Sequence, residues 1–410
     1  MNYIPAEKYN LSGEEITEGI SLITAVKNRE ETLRQALPTW LTNREIDEII
    51  IVDWSSDHSL ETLVNEFQDG RIKLAIVEDQ PKWILSYAYN LAARFTSRSQ
   101  ILKMDADVKM KTGFFDQHRL HPGHFYTGNW RIAKNENETH LNGIAFYFRN
   151  DFFKVNGFNE FITTYGWDDT DLFDRLEEIG LLRLDINPET LYHIPHEERV
   201  THQTGTNFLK KIEDKERATI NILMNRYIFS NLRKWDQDCK MTDFQIERVN
   251  AHKMCCRQTS ESEMKIPADL IEKSEFIAIR ERLEQAKIII NQDLFDLLNK
   301  NDLIAIYRLY LLSRTDPTLE PDARKVLIRL LQPIQQIKSL TGTEITSLTE
   351  KISVLSSEMV QKEESIKQLK RQLQSAQNKL NLIQNSKFYR YGSRIARIIS
   401  KFSPSGLAKK

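Results

Sequence analysis

Cysteine is scarce in this chain: Cys239, Cys255 and Cys256 are the only three in 410 residues. They are too few and too oddly spaced for a disulfide framework. Long apolar runs are missing as well. No stretch approaches the roughly 18 uninterrupted apolar residues of a membrane-crossing helix, and the polar start Met1–Asn10 does not read as a secretory signal. Charge of one sign is not in excess, since 57 Lys+Arg face 58 Asp+Glu for a net charge of -1. That balance argues against a general nucleic-acid binder. What is present is 40% hydrophobic and 28% charged residues, enough apolar content for a packed core. At roughly 150 residues per domain the length predicts two or three domains. These bulk properties point to a soluble cytoplasmic protein of several parts.

Residues 1–205 form the first zone. Ser21–Val26 and Glu48–Val52 read as buried strands, and Ile72–Val77 as a third with alternating apolar positions. Glu31–Leu41 and Leu85–Phe95 read as helices between them, with apolar residues at spacings of three and four. Strands alternating with helices predict an α/β fold with a mainly parallel sheet covered on both faces. Ligands of such sheets gather at the carboxyl ends of the strands.

Residues 206–338 read as helical almost throughout, with apolar positions at helical spacing and no glycine from Thr206 to Lys338. His252, Cys255 and Cys256 lack the fourth ligand and second paired motif of a zinc site. Residues 339–385 carry a coiled-coil pattern. Heptad positions a are Ile345, Ile352, Met359, Ile366, Leu373 and Leu380; positions d are Leu348, Leu355, Lys362, Leu369, Ala376 and Ile383. At 1.5 Å per residue this rod would run ~58 Å. Its seam predicts self-association, the other reading being a long helix packed on the second zone. Residues 386–410 form a basic tail, with seven Lys or Arg and no acid from Lys387 to Lys410. Phe388, Tyr391, Ile395, Ile398, Ile399 and Phe402 share one helical face, opposite Arg390, Arg394, Arg397 and Lys401. That layout suits contact with an anionic membrane surface, or packing back on an acidic patch of the same protein.

The chemistry concentrates in the first zone. In Ile101-Leu102-Lys103-Met104-Asp105-Ala106-Asp107-Val108 an apolar run feeds two carboxylates at i and i+2. On extended chain both project to one side, where hard oxygen donors can hold a divalent cation that bridges a diphosphate. A second cluster, Tyr165-Gly166-Trp167-Asp168-Asp169-Thr170-Asp171, opens a helix whose apolar face includes Leu172, Phe173, Leu176 and Ile179. Acids in a first turn complement the helix dipole. Carboxylates crowded beside apolar rings are also candidates for a general base with a raised pKa. A third element, Leu191-Tyr192-His193-Ile194-Pro195-His196, offers two imidazoles three residues apart that can complete a metal site.

Taken in order, these elements resemble the GT-A glycosyltransferases, of family 2 kind with a later motif similar to β-1,4-galactosyltransferases and chondroitin polymerases. Ser21 to Arg29 resembles the first strand and nucleotide-binding turn, and Ile49 to Asp57 the second strand with its aspartate at Asp53. Trp54 and Ser55 stand where an acid and a glycine are usual. Trp83 through Asn90 resembles the helix before the metal motif, and Asp105-Ala106-Asp107 the D-x-D. Asn156-Gly157-Phe158-Asn159-Glu160 is similar to the family's Gly-Gly-Phe-Asp-Glu, and Tyr165 to Phe173 to its acceptor-side Trp-Gly-Gly-Glu-Asp.

The resemblance implies a GT-A nucleotide-diphospho-sugar transferase fold over residues 1–205. It implies inverting transfer of a hexose or N-acetylhexosamine from a UDP-sugar to a glycan acceptor, in surface polysaccharide synthesis. Asp169 would be the catalytic base, with Asp168 and Trp167 binding acceptor. Thr24, Ala25, Arg29, Asp53, Asn90 and Asp105 would hold the nucleotide-sugar. Manganese or magnesium would sit on Asp105, Asp107, His193 and His196, His196 being favoured slightly over His193. Rod and tail together suggest an oligomer held at the inner face of a membrane. The competing expectation is a catalytically silent GT-A-like scaffold, and a metal-dependent phosphohydrolase is weaker because no phosphate loop is found.

Overall fold

The computed structural model describes residues 10–196, 214–232, 234–260 and 266–285, with isolated positions at 307 and between 351 and 375. The elements in order are β1 (Thr17–Val26), α1 (Glu30–Leu41), β2 (Ile46–Trp54), α2 (Glu61–Phe67), β3 (Ile72–Glu78), α3 (Leu85–Phe95), β4 (Arg98–Lys103), β5 (Val108–Met110) and α4 (Phe114–Gln117). There follow β6 (His124–Thr127), β7 (Ala145–Phe148), α5 (Arg149–Lys154), α6 (Asp168–Glu178), β8 (Leu182–Asp185), β9 (Leu191–His193), α7 (Asp214–Asn231), β10 (Phe244–Arg248), β11 (Lys253–Gln258) and α8 (Ala268–Gln285).

Nine strands form one mixed sheet in the order β10-β11-β3-β2-β1-β4-β7-β6-β8. Its middle, β3-β2-β1-β4, is parallel. There the sequence reads as unbroken apolar runs, because both faces are covered. Alternate residues enter opposite cores: Leu22, Val26 and Ile49 join α1 and α2 on one face, while Ile23, Ala25 and Val52 join α3 and α6 on the other. Helix α1 buries Leu33, Ala36, Leu37 and Trp40, one stripe at helical spacing. Past β4 the sheet turns antiparallel through β7 and β6. A separate pair, β5 with β9, sets Val108 opposite His193.

The reading of 206–338 as nearly all helix is corrected here. β11 pairs parallel with β3 and β10 closes on it as a hairpin, so residues 244–258 extend the first zone's sheet. Cys256 is buried in that sheet's core and burial pushes its thiol up to about 12, while Cys255 faces Ile76 across the strand pair. The helical expectation holds for α7 and α8, where Arg282 pairs with Glu216 at 2.8 Å.

Residues 1–287 make one compact unit and 288–410 a second. In the second, the described positions between 351 and 375 are helical and exposed, among them Lys362, the charged misfit of the heptad pattern. The apolar a and d positions and the basic tail lie outside the described residues. Among the described residues no helix is long and apolar enough to cross a membrane.

Candidate active site

The carboxyl ends of β1, β2 and β4 lie side by side, with Val26 opposite Asp53 and Ile23 opposite Lys103. Thr24 and Ala25 are buried on β1, next to Ile51 and Val52. Asp53 uses its carboxylate to cap the turn that follows, accepting from the Ser56 amide at 3.0 Å and the Leu60 amide at 3.0 Å. Lys27 gathers the carbonyls of Trp54, Ser55 and Gln80 at 3.0, 2.7 and 2.8 Å. The turn after β2 is thereby tied to the turn after β1. Where Ser55 replaces the usual glycine its φ is +51°, and its hydroxyl donates to Val77 and accepts from Gln80. Those bonds offset the strain of the left-handed conformation.

Asn90 faces inward rather than toward the crevice. Its side chain donates to the Phe158 carbonyl at 2.9 Å and to Glu160 at 2.8 Å, and accepts from the Phe158 amide at 2.7 Å. It therefore braces the loop 156–160, and the sugar-binding role expected of it passes to no atom left over. Glu160 is buried too, and accepts from the Thr242 amide and hydroxyl at 2.6 and 2.7 Å.

The two acids of Asp105-Ala106-Asp107 part company. The strand ends at Lys103, and residues 104–107 turn out of the sheet, so the same-side rule for i and i+2 stops applying. Asp107 goes to the histidines. Its Oδ2 lies 2.6 Å from His196 Nε2 and 3.9 Å from His193 Nε2. One carboxylate oxygen and two imidazole nitrogens, all within 4.8 Å of one another, form a cluster that could hold a metal ion. That mixed oxygen and nitrogen donor set fits a first-row divalent ion, the carboxylate suiting manganese and the imidazoles suiting the later metals such as iron or zinc. Burial would raise the Asp107 carboxyl, but the His196 hydrogen bond and the nearby His193, His196 and Arg29 hold it below the usual range. Burial lowers His193 against the pull of Asp107, which favours the neutral ring that can ligate.

Asp105 stands outside that cluster, which corrects its expected place among the metal ligands. Its Oδ1 accepts from the Tyr89 hydroxyl at 3.0 Å and from Lys103 Nζ at 3.1 Å. The same ammonium lies 3.2 Å from Asp169 Oδ1. Asp168 and Asp169 open α6 after Trp167, whose φ of +73° makes the sharp entry. The Trp167 ring is half-buried with the Arg226 guanidinium 5.9 Å from its centre. Burial first, then the neighbouring Asp169, pushes Asp168 up to about 7. Burial also pushes Asp169 up to about 6, with Lys103 opposing and Asp105 adding to the rise. Asp171 faces away, paired with Arg175 at 2.7 Å and accepting from Asn159 at 3.2 Å.

Sequence reasoning missed Lys103, Tyr89 and Gly143. The signal for Lys103 was a lysine inside an apolar strand, two residues before an acid. Gly143 had none.

Residues 21–118 match the family model described as glycosyl transferase family 2. Residues 127–197 match the one described as the N-terminal domain of galactosyltransferase. The catalytic domain of Drosophila β1,4-galactosyltransferase 7 with xylobiose aligns at 14% identity and TM-score 0.40, over 61% of this chain and 96% of that one. A point mutant of that enzyme, with manganese, UDP-Gal and xylobiose, aligns at 13% identity and TM-score 0.37 over the same shares. GalNAc-T7 with UDP, GalNAc and Mn2+ aligns at 13% identity and TM-score 0.37, over 51% of each chain. No curated protein sequence matches. The chain thus matches glycosyl transferase family 2 over residues 21–118 and galactosyltransferase over residues 127–197.

Proposed function

We propose that this glycosyltransferase is a metal-dependent, inverting enzyme that moves a hexose or N-acetylhexosamine from a UDP-sugar to a glycan acceptor in surface polysaccharide synthesis. The observation that carries this reading is the convergence of one carboxylate and two imidazoles, Asp107, His193 and His196, beside the strand end that also approaches Asp169. When bound, the cation would supply positive charge against the departing diphosphate. Asp107, His193 and His196 would hold it. The turns after β1 and β2, braced by Lys27 and Asp53, would receive the nucleoside, with Arg29 toward its phosphates. Trp167 and Asp168 would seat the acceptor.

Asp169 would take the acceptor proton. Its buried carboxyl is pushed up to about 6, a useful base strength near neutral pH. Inversion follows if the acceptor hydroxyl, giving its proton to Asp169, attacks the anomeric carbon opposite the leaving diphosphate. The rod at 345–383 would join copies of the chain, and the tail at 387–410 would hold them at the inner face of a membrane. Support for those two roles is the heptad and charge patterns alone. Deleting Lys387–Lys410 should shift the protein to the soluble fraction.

The test is a panel of UDP-sugars with manganese and mixed oligosaccharide acceptors, read by mass spectrometry. A mass gain of one sugar on an acceptor, with one UDP released, supports the reading. Donor binding with no transfer to any acceptor favours the silent scaffold.

A further inference from the structure

Lys103 is the last residue of β4 and is 0% exposed. A lysine ammonium has three N–H donors. Three acceptors surround this one: Asp105 at 3.1 Å, the Gly143 carbonyl at 2.5 Å and Asp169 at 3.2 Å. A fourth side is closed by the Tyr89 ring, 4.4 Å from Nζ to its centre, with the Phe158 ring at 6.0 Å. Burial alone would lower the Lys103 pKa, yet Asp105 and Asp169 outweigh it and hold the group well above ordinary lysine.

A buried charge held by two hydrogen bonds and by an ion pair with Asp169 is costly to leave half-paired, so the geometry is held firmly. The three acceptors come from three separate pieces of chain: the turn after β4, the residue before Ile144 and β7, and the start of α6. The ammonium is therefore a fixed joint between the metal-motif turn and the carboxylate on α6. It is not placed to grip a phosphate, because none of its donors faces open space. Other charged or titratable groups facing Asp169 are Asp105, Asp168 and Arg183, with the Tyr89 and Tyr147 phenols. Lys103 is the cation in contact with its oxygen.

We infer that Lys103 is a positioning residue for sugar transfer: it fixes the Asp169 carboxylate relative to the Asp105 turn, so that the proton acceptor and the donor site keep one geometry. The inference rests on Asp169 being the base. Lys103 is wholly buried and has no exposed surface to offer a substrate. Its loss should therefore act on the chemical step and spare binding, because a misplaced base costs rate more than affinity.

The experiment uses the full-length protein with manganese, the UDP-sugar found active in the donor panel, and its acceptor. Lys103→Met should lower kcat by about 100-fold or more, while both KM values and the Kd for UDP with manganese stay within about threefold. Lys103→Arg keeps the charge and should recover at least about tenfold of that loss. If Lys103→Met does not fold, Lys103→Gln retains a donor for the Gly143 carbonyl and gives the same reading. A neutral variant with kcat within about threefold of wild type overturns the inference, as does a Lys103→Arg variant no better than Lys103→Met. Asp169→Asn is measured alongside. If it transfers sugar at the wild-type rate, the base assignment itself has failed; if it is inactive and Lys103→Met is not impaired, only the role of Lys103 has failed.

Discussion

Asn137 holds His193 by both of its backbone atoms, its amide donating to the His193 carbonyl at 2.6 Å and its Oδ1 accepting from the His193 N–H at 3.0 Å. The His140 ring stacks on His193 as well, 4.6 Å centre to centre and 19° from parallel. A metal-binding imidazole is only as well aimed as the groups behind it. Asn137→Ala should therefore weaken manganese binding by about tenfold. Isothermal titration with manganese checks this, and unchanged affinity would show that the β5–β9 pair alone orients the ring.

The acid limb of kcat should lie high for a carboxylate. With Asp169 pushed up to about 6 and Asp168 to about 7, the pair takes on protons as pH falls through that window. A protonated Asp169 cannot accept the hydroxyl proton, so kcat should drop about tenfold per pH unit below the limb. A profile flat down to pH ~4, the range of an ordinary carboxylate, would contradict the burial argument.

The same burial has a consequence for stability. Asp168 is raised from 3.8 to about 7 in the folded chain, so between those values the folded state binds more protons than the unfolded one. Stability is then lost as pH rises through that window and is recovered below it. Asp168→Asn removes the charge and should raise Tm at pH 8 by roughly 5 °C. The gain should vanish below pH ~4, where the carboxyl is protonated in both states. Differential scanning calorimetry at the two pH values gives the comparison.

Gly143 stands where a side chain would collide with the site itself. A Cβ there would lie 2.6 Å from Asp105 Oδ2, 3.2 Å from Lys103 Nζ and 3.3 Å from Asp169 Oδ2. Gly143→Ala should displace the ion-paired groups and cut kcat at least about tenfold while the protein stays folded. Full activity with normal melting would mean that these groups shift without consequence.

How far these features could be read from the sequence depended on how local their causes are. The parallel strands announced themselves, because Ile49-Ile50-Ile51-Val52 has no reason to be so apolar unless covered on both faces. β10 and β11 did not. The partner of β11, β3, lies nearly two hundred residues earlier, and Gln245, Glu247 and Arg257 break any apolar run. Asp107, His193 and His196 could be named as a metal set from their chemistry and order. The separate destination of Asp105 could not, since it depends on where β4 stops and on a lysine that composition alone would place on the surface. Asn90 was found for the wrong reason: its burial against Phe158 and Glu160 is a packing fact with no local signature.

The most direct test is an anomalous-scattering map at the manganese edge, from crystals grown with UDP and manganese. The account requires one strong peak within about 2.3 Å of an Asp107 oxygen and both imidazoles, with diphosphate oxygens on the same ion and the Asp169 carboxylate open toward the space a donor sugar would fill. A peak held by other residues, or Asp169 turned away from that space, would contradict it.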